Sequence, residues 1–379
     1  MKPYEIAIIG AGASSLFLGA NLKNKKDTII LEHNSSIGAK ILISGGGRCN
    51  FTNKDVSSSD YLGDSVFFNN IYKNFTNKDV VDFFSKRGLE YTLKNKSEYF
   101  CKKSAKDLLN ILKKECQGIE FGLNYEVIEV KREDNLFKII TNKKVIEAKK
   151  VVVASGGLSF PKLGATPIGL EIAKSFGHNI ITPSPALVGF TLQKEQSFFK
   201  ELSGISVEVE VKVEEKIFKG SLLFAHKGIS GPAILNASLF WKKGKIAINF
   251  LPGFNFDTIK HSNKELISLL PLPKRVIRAF MRHLNLPNKP VKLYSNEEFK
   301  RVLLLSNYSF APAGTFGYSK AEVTRGGVDT KELTHSLESK IVKNLFFLGE
   351  VVDITGRLGG YNFQWAFSSA FSCSQFIAK

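Results

Sequence analysis

Four consecutive apolar residues, Ile6 to Ile9, run directly into Gly10-Ala11-Gly12-Ala13-Ser14-Ser15, and small and apolar residues then continue from Leu16 to Leu22. A short stretch apolar on both faces reads as a covered strand, and the glycine-rich and apolar residues after it read as a tight turn and a helix packed on a sheet. Thr28 to Leu31 repeats the strand pattern and ends in Glu32, about twenty residues after the turn, the spacing at which a parallel βαβ unit opens. Helical spacing returns over Val80 to Arg87 and Ser104 to Glu115. Tyr125 to Lys131, Phe137 to Thr141 and Lys144 to Ala148 alternate apolar with polar residues, as antiparallel strands with one wet face do. Val151 to Ala154 is apolar throughout, the pattern of a central parallel strand, and leads into Ser155-Gly156-Gly157.

The texture changes after Pro183 and Pro185. Phe190 to Phe224 contains Val207, Val209, Val211 and Val213 set between charged residues, which predicts a separate β unit. Asp257 to Tyr308 reads as helical, broken by four prolines. The chain then returns to a buried strand, Asn344 to Leu348, followed by Gly349-Glu350, Gly359-Gly360 and a small-residue helix from Asn362 to Phe376. The fold class is therefore α/β, with a Rossmann-like domain split by an insertion. The expected segments are 1–189 and 326–379 for the split domain, 190–253 with 309–325 for the inserted β domain, and 254–308 for a helical subdomain.

The glycine turns carry the candidate chemistry. Gly10 and Gly12 permit a tight turn and a close approach of main chain to a pyrophosphate, whose charge meets the N–H groups at a helix start. Ser15 occupies the third position of this fingerprint, where Gly or Ala is usual, and so brings a hydroxyl into the helix–strand contact. Glu32 is placed to accept ribose hydroxyls of an adenosine. Lys40 and Arg48 bound a second run, Ser44-Gly45-Gly46-Gly47, in which successive N–H groups can form an anion nest and Arg48 can engage two phosphate oxygens. Cys49 reads either as packing or as a redox thiol. Two glycines before the last helix expose N–H groups suited to an anionic ring edge.

Composition then narrows the class. The chain has 379 residues, 43% hydrophobic and 23% charged, which excludes a disordered adaptor and predicts more than one folding unit. No apolar run approaches bilayer-spanning length and the N-terminus has no signal-peptide pattern, so a cytoplasmic protein without a membrane partner is expected. The four cysteines are far apart in sequence, which indicates reduced thiols, with neither a disulfide framework nor a metal site. Lys and Arg exceed Asp and Glu by 53 to 35, a balance of +18. Such charge fits scattered solvated faces and leaves nucleic-acid association open. Oligomeric state is not legible.

Six segments resemble a known family over nearly the whole chain: Lys40 to Asn53, Val153 to Pro161, Pro185 to Val188, Leu223 to Leu235, Ala321 to Val328 and Leu345 to Phe367. They resemble the BaiN-like, or YhiN-like, bacterial flavoproteins, often described as aminoacetone-oxidase-family FAD-binding enzymes or NAD(P)/FAD-dependent oxidoreductases. The resemblance implies an FAD-binding domain of the glutathione-reductase type, an inserted β-barrel-like domain and a helical subdomain. The implied FAD contacts are Gly10, Gly12, Ser15, Glu32, Lys40, Ser44, Gly45, Gly46, Gly47, Arg48, Cys49, Asn50, Ala154, Gly156, Gly157, Gly349, Glu350, Asp353, Gly359, Gly360, Tyr361 and Asn362. Glu350 stands where the wider superfamily carries Asp, and Asp353 shares its expected role.

Three functional readings are open. The first is an FAD-dependent oxidoreductase passing hydride through flavin N5 to or from a small-molecule substrate, with NAD(P)H as a transient donor, because no second full dinucleotide fingerprint is evident. The second is an RNA-associated flavoenzyme of the tRNA-modifying kind, motivated by the charge. The third is a non-catalytic redox-responsive flavin binder, motivated by the lack of convincing acid–base residues. His226, Cys49 and Thr324 are the catalytic candidates. His226 is singled out because its ordinary pKa lies near neutrality.

Overall fold

The computed structural model describes residues 2–377 and divides into two compact units, Met1–Pro185 with Val323–Lys379, and Ala186–Glu322. The insertion therefore begins four residues earlier and ends three residues earlier than the sequence pattern places it.

The discontinuous unit opens with β1 (Tyr4–Ile9), α1 (Ala13–Asn21), β2 (Thr28–Glu32), α2 (Ala39–Gly47) and β3 (Asn50–Asn53). β1 lies between β2 and strand Val145–Val153, parallel to both, with Ile8 opposite Ile30 on one side and Val152 on the other. All three side chains are fully buried. Burial of residues of this size stabilises the fold by roughly 1.5–3 kcal/mol each. Strand Glu120–Leu123 extends the sheet beyond β2.

The alternating segment Lys144 to Ala148 and the apolar segment Val151 to Ala154, expected as two strands, form one strand, Val145–Val153. Its first half pairs antiparallel with Leu136–Thr141, and its last three residues pair parallel with Leu345–Phe347. The first half is half-wet, which accounts for the polar alternation. The second half is covered on both faces.

The final helix, Tyr361–Ile377, carries Ser368, Ser369, Ala370 and Ser372 on its buried surface, which lets it approach α1 closely. The Phe17 and Phe367 rings lie 4.8 Å apart between the two helices. Helices Ser65–Tyr72 and Ile168–Ser175 have no counterpart in the sequence reading.

In the inserted unit, an antiparallel sheet runs in the order Tyr308–Phe310, Ile246–Asn249, Ser206–Val213, Lys216–Ala225, Gly228–Ser230, Phe190–Thr191 and Gly314–Thr315. Val207, Val209, Val211 and Val213 are its buried positions, as the alternation requires. Phe199, Phe224, Phe250, Phe280 and Tyr308 form an aromatic core beneath it, with Phe250 and Phe280 ring centroids 4.9 Å apart. Helices Lys274–His283 and Asn296–Leu303 follow. Among the described residues no helix is long and apolar enough to cross a membrane, and no group of His, Cys, Asp and Glu is arranged to hold a metal ion.

Candidate cofactor site

Every implied contact residue lies in the discontinuous unit. Gly10 ends β1 with a left-handed φ of +94°, and a Cβ there would sit 2.8 Å from the Ala154 carbonyl oxygen, so glycine is demanded by the protein itself. Gly12 differs. Its φ of −88° suits any residue, yet an added Cβ would meet nothing within 4 Å. The glycine preserves open space at the start of α1, where no side chain caps the first-turn N–H groups. Gly46 and Gly156 also face open space.

Glu32 is buried and clamped to this turn. Its Oε2 accepts the Ala11 N–H at 2.8 Å, and its Oε1 accepts the Asn34 N–H at 2.9 Å, with His33 Nδ1 3.2 Å from Oε1. An ionised carboxylate has about four lone-pair sites, so each oxygen keeps capacity for a hydroxyl donor.

The second glycine run begins as helix. Within α2 only Ala39 to Ile43 keep helical backbone; that of Ser44 is extended, and Gly45, Gly46 and Gly47 are successively left-handed. The loop folds back so that the N–H groups of Arg48 and Cys49 both donate to the Ser44 carbonyl. Each left-handed position costs a residue with a Cβ roughly 1–2 kcal/mol, so three in succession select glycine. The Arg48 guanidinium lies 5.9 Å over the Phe100 ring. Cys49 is fully buried against Cys101, and burial pushes its thiol well up. It therefore packs as a protonated thiol, and the redox alternative gains nothing from its surroundings.

Glu350 and Lys40, 310 positions apart, meet at 2.8 Å, and the other Glu350 oxygen accepts the Thr324 N–H at 2.8 Å. Thr324 is buried, and its Oγ1 accepts the Leu158 N–H at 2.8 Å, so it positions the Gly156-Gly157 loop. A Cβ on Gly157 would lie 2.7 Å from both Glu350 Oε1 and Thr324 Oγ1. Gly349 is left-handed, and a Cβ on it would collide with Ser14 Oγ in α1. Its carbonyl accepts Trp365 Nε1 at 3.0 Å, which fixes Trp365 as a core residue.

The last motif interlocks with β3. The Gly359 carbonyl accepts Asn53 Nδ2 at 2.9 Å, a Cβ on Gly360 would lie 2.6 Å from the Thr52 carbonyl oxygen, and the Asn50 amide oxygen is placed to accept the Gly360 N–H at 3.3 Å. Tyr361 Oη donates to the Asp55 carbonyl. The Asn362 side chain folds onto Gly356, accepting its N–H and donating to its carbonyl. A cavity of about 470 Å³ opens beside Tyr361, lined also by Lys54, Asp60 and Arg357.

Asp353 and His226 have surroundings of their own. Asp353 does not join Glu350 on Lys40; it faces Asp329, takes a hydrogen bond from the Gly326 backbone, and is pushed up by burial. His226 lies on an exposed turn of the inserted unit between Lys216–Ala225 and Gly228–Ser230. Sequence reasoning passed over Ser155 as a site residue. The Oγ atoms of Ser15 and Ser155 are both buried without a hydrogen-bond partner. A buried hydroxyl left unpaired costs free energy, and Ser155 directly precedes Gly156, which faces open space. Uncapped helix N–H groups, the clamped Glu32 carboxylate, three glycines facing open space and these hydroxyls fit an adenine dinucleotide such as FAD.

Comparison with known proteins gives the family. The family model described as HI0933-like protein Rossmann domain matches residues 4–376. A relative from Escherichia coli (strain K12) named ribosomal RNA dihydrouridine synthase is 38% identical over 392 residues, covering 99% of this chain and 98% of the relative. A 3-dehydro-bile acid delta(4,6)-reductase from Clostridium scindens is 28% identical over 411 residues, covering 99% of each. Among solved structures, the open conformation of a flavocytochrome c3 fumarate reductase matches with a TM-score of 0.51 at 14% identity, covering 100% of this chain and 78% of that one, a likeness of fold. The chain therefore belongs to the HI0933-like Rossmann-domain family, as a flavoprotein of the oxidoreductase class.

Proposed function

We propose that this protein uses FAD to reduce a carbon–carbon double bond conjugated to a carbonyl, and that its substrate is a uracil base in structured RNA. The observation that carries the reading is the end-to-end 38% identity to a ribosomal RNA dihydrouridine synthase. The chemistry suits the bile-acid reductase relative too, since a 3-oxo-4,6-diene and a uracil C5=C6 bond are both polarised by a conjugated carbonyl.

When bound and reduced by NAD(P)H, FAD would supply a hydride equivalent to the β-carbon of such a system, with the α-carbon taking its proton from water. The chain's own residues bind and orient. The N-terminus of α1 at Gly12 would hold the pyrophosphate, Glu32 would accept ribose hydroxyls, and the Gly45–Gly47 loop with Arg48 would bind phosphate or ring atoms. The Lys40–Glu350 ion pair ties the two segments of the unit together. The N–H groups of Tyr361 and Asn362, which open the C-terminal helix, would stabilise negative charge accumulating on a reduced ring. The acidic side chains of the site are already committed to backbone N–H groups and to Lys40.

The test is to purify the yellow protein, reduce it anaerobically with NADH or NADPH, and add a ribosomal RNA transcript or a steroid dienone. Gain of two hydrogen atoms at a uridine, read by mass spectrometry, is the expected result. Turnover of the dienone with no change in the RNA would overturn the substrate assignment, and a protein that takes up no FAD would overturn the whole reading.

A further inference from the structure

The inserted unit carries a charge pattern that the cofactor site does not use. Residues 186–322 contain twenty Lys and Arg against eleven Asp and Glu. The most ordered part of this excess is helix Lys274–His283. Its sequence sorts with a 3.6-residue period: Val276, Ile277, Phe280 and Met281 are buried, while Lys274, Arg275, Arg278 and Arg282 are exposed. At 100° per residue the four cations fall within about one quarter to one third of the helix circumference, and Lys274, Arg278 and Arg282 stand one rung apart, ~6 Å along the axis. That rung is comparable to the spacing of neighbouring phosphates on one nucleic-acid strand.

Two members of the stripe have local partners. Arg282 pairs with Glu201 at 2.6 Å, and Arg275 donates to the Glu201 carbonyl. Lys274 and Arg278 form no ion pair among the described residues. Phe198 stacks on His283 at 4.1 Å between centroids, and His283 in turn meets Tyr308 Oη at 2.9 Å. The apolar side of the helix is thus consumed by the unit's own core. A basic amphipathic helix that binds a bilayer must offer its apolar face to the acyl chains, and this one has no such face to offer. What remains is a row of cations on an ordered helix, the form of surface that positions a polyanion through its phosphates.

We infer that the exposed face of helix Lys274–His283 is an RNA-docking surface that grips the sugar–phosphate backbone without reading sequence. The inference rests on the RNA reading of the substrate. Each phosphate contact lowers the slope of log K against log salt by about 0.7–0.9. Replacing Lys274→Gln together with Arg278→Gln is therefore expected to weaken binding of a structured ribosomal RNA transcript on the order of tenfold near 0.1 M salt, and to flatten the salt slope by roughly 1.5. Both side chains are exposed, so flavin absorbance and reduction by NAD(P)H serve as the control for folding. The comparison variant Lys113→Gln with Lys114→Gln removes the same charge from the exposed end of helix Ala105–Glu115 in the other unit.

Loss of RNA affinity confined to the first pair supports the surface. Equal losses in both pairs would show diffuse attraction by net charge and overturn it, as would no loss in either. If the first pair instead abolishes binding to vesicles of phosphatidylglycerol and phosphatidylcholine while RNA binding is unchanged, the partner class is wrong. A wild-type protein that binds no RNA at low salt defeats the substrate reading itself, an outcome distinct from a wild type that binds and a variant that binds equally.

Discussion

The two compact units place their polar groups in opposite ways. The discontinuous unit turns polar groups inward: Glu32, Ser15, Thr324 and Gln364 are all buried, most of them bonded to main chain, and several glycines beside them face empty space. The inserted unit closes over interlocking phenylalanines and leaves its charge on the surface, with Gln196 and Ser238 as its buried polar side chains among those described. A region that must surround a polar ligand keeps unfilled hydrogen-bonding capacity, and a region that must present a surface spends its interior on packing alone. The lesson is that vacant space and unpaired hydroxyls are to be sought in the first unit, while the second is to be judged by its exterior.

The contrast can be broken most forcefully in the aromatic core. Phe199→Ala removes a fully buried ring that touches Phe224, Phe250 and Tyr308. It is expected to destabilise the inserted unit by about 3–5 kcal/mol, seen as a lowered melting midpoint by circular dichroism, with the flavin spectrum of surviving folded protein unaltered. A loss of bound flavin at a temperature where the protein is still folded would show that the two interiors are coupled.

A second variant sharpens the distinction from the other side. Gly12→Ala places a methyl group where no protein atom lies within 4 Å and where φ is ordinary. Stability of the apoprotein is expected to change by less than about 0.5 kcal/mol or to rise. FAD retention on gel filtration is expected to fall at least roughly tenfold, about 1.4 kcal/mol, because the main chain no longer approaches the pyrophosphate. Glu32→Ala is expected to reduce FAD occupancy similarly, whereas Cys49→Ala leaves it near the wild-type level. Equal occupancy in the Glu32 and Cys49 variants would contradict the roles assigned to them.

The smallest expected effect is on pH dependence. Burial lowers the pKa of His178, opposed in part by Glu332, which lies 3.0 Å from Nδ1, while Ser339 Oγ lies 2.8 Å from Nε2. The folded protein therefore binds this proton less readily than the unfolded chain. The associated stability is present above the unfolded value near 6.5 and declines as pH falls through the lower folded value. His283 in the inserted unit is lowered by burial as well and acts in the same direction. Melting midpoints are expected to drop between pH 7 and 5, and His178→Gln is expected to flatten the part of that drop belonging to the first unit. An unchanged slope in that variant would remove His178 from the account.

Much of the fold was legible because its signals are local. The run Ile6 to Glu32 carries strand, turn, helix and carboxylate in one stretch, and the valines at 207 to 213 declare their own buried face. The strand Val145–Val153 was harder, since Glu147, Lys149 and Lys150 interrupt its apolar pattern where one side is wet, although the backbone continues unbroken. The short helix at the start of α2 was hidden by the glycines that end it. In the site, the turns themselves were readable, but the contact of Lys40 with Glu350 spans almost the entire chain and leaves no trace in spacing. Asp353 shows the converse: it is three residues from Glu350, yet the turn Gly349–Val351 sends it to a different set of neighbours. Unpaired hydroxyls such as Ser155 Oγ become visible only after the surrounding atoms have been placed.

The seating of the last helix on α1 has a consequence for synthesis. Phe17 emerges from the ribosome near the beginning of translation, whereas its partner Phe367 arrives only after the whole inserted unit has been made, a delay on the order of ten seconds or more at ordinary elongation rates. Over the last stretch of that interval, after Glu322, the inserted unit has its complete sequence and the first unit does not. On the proposed site, which draws on Gly359 to Asn362, loading of the coenzyme would follow the arrival of the C-terminus.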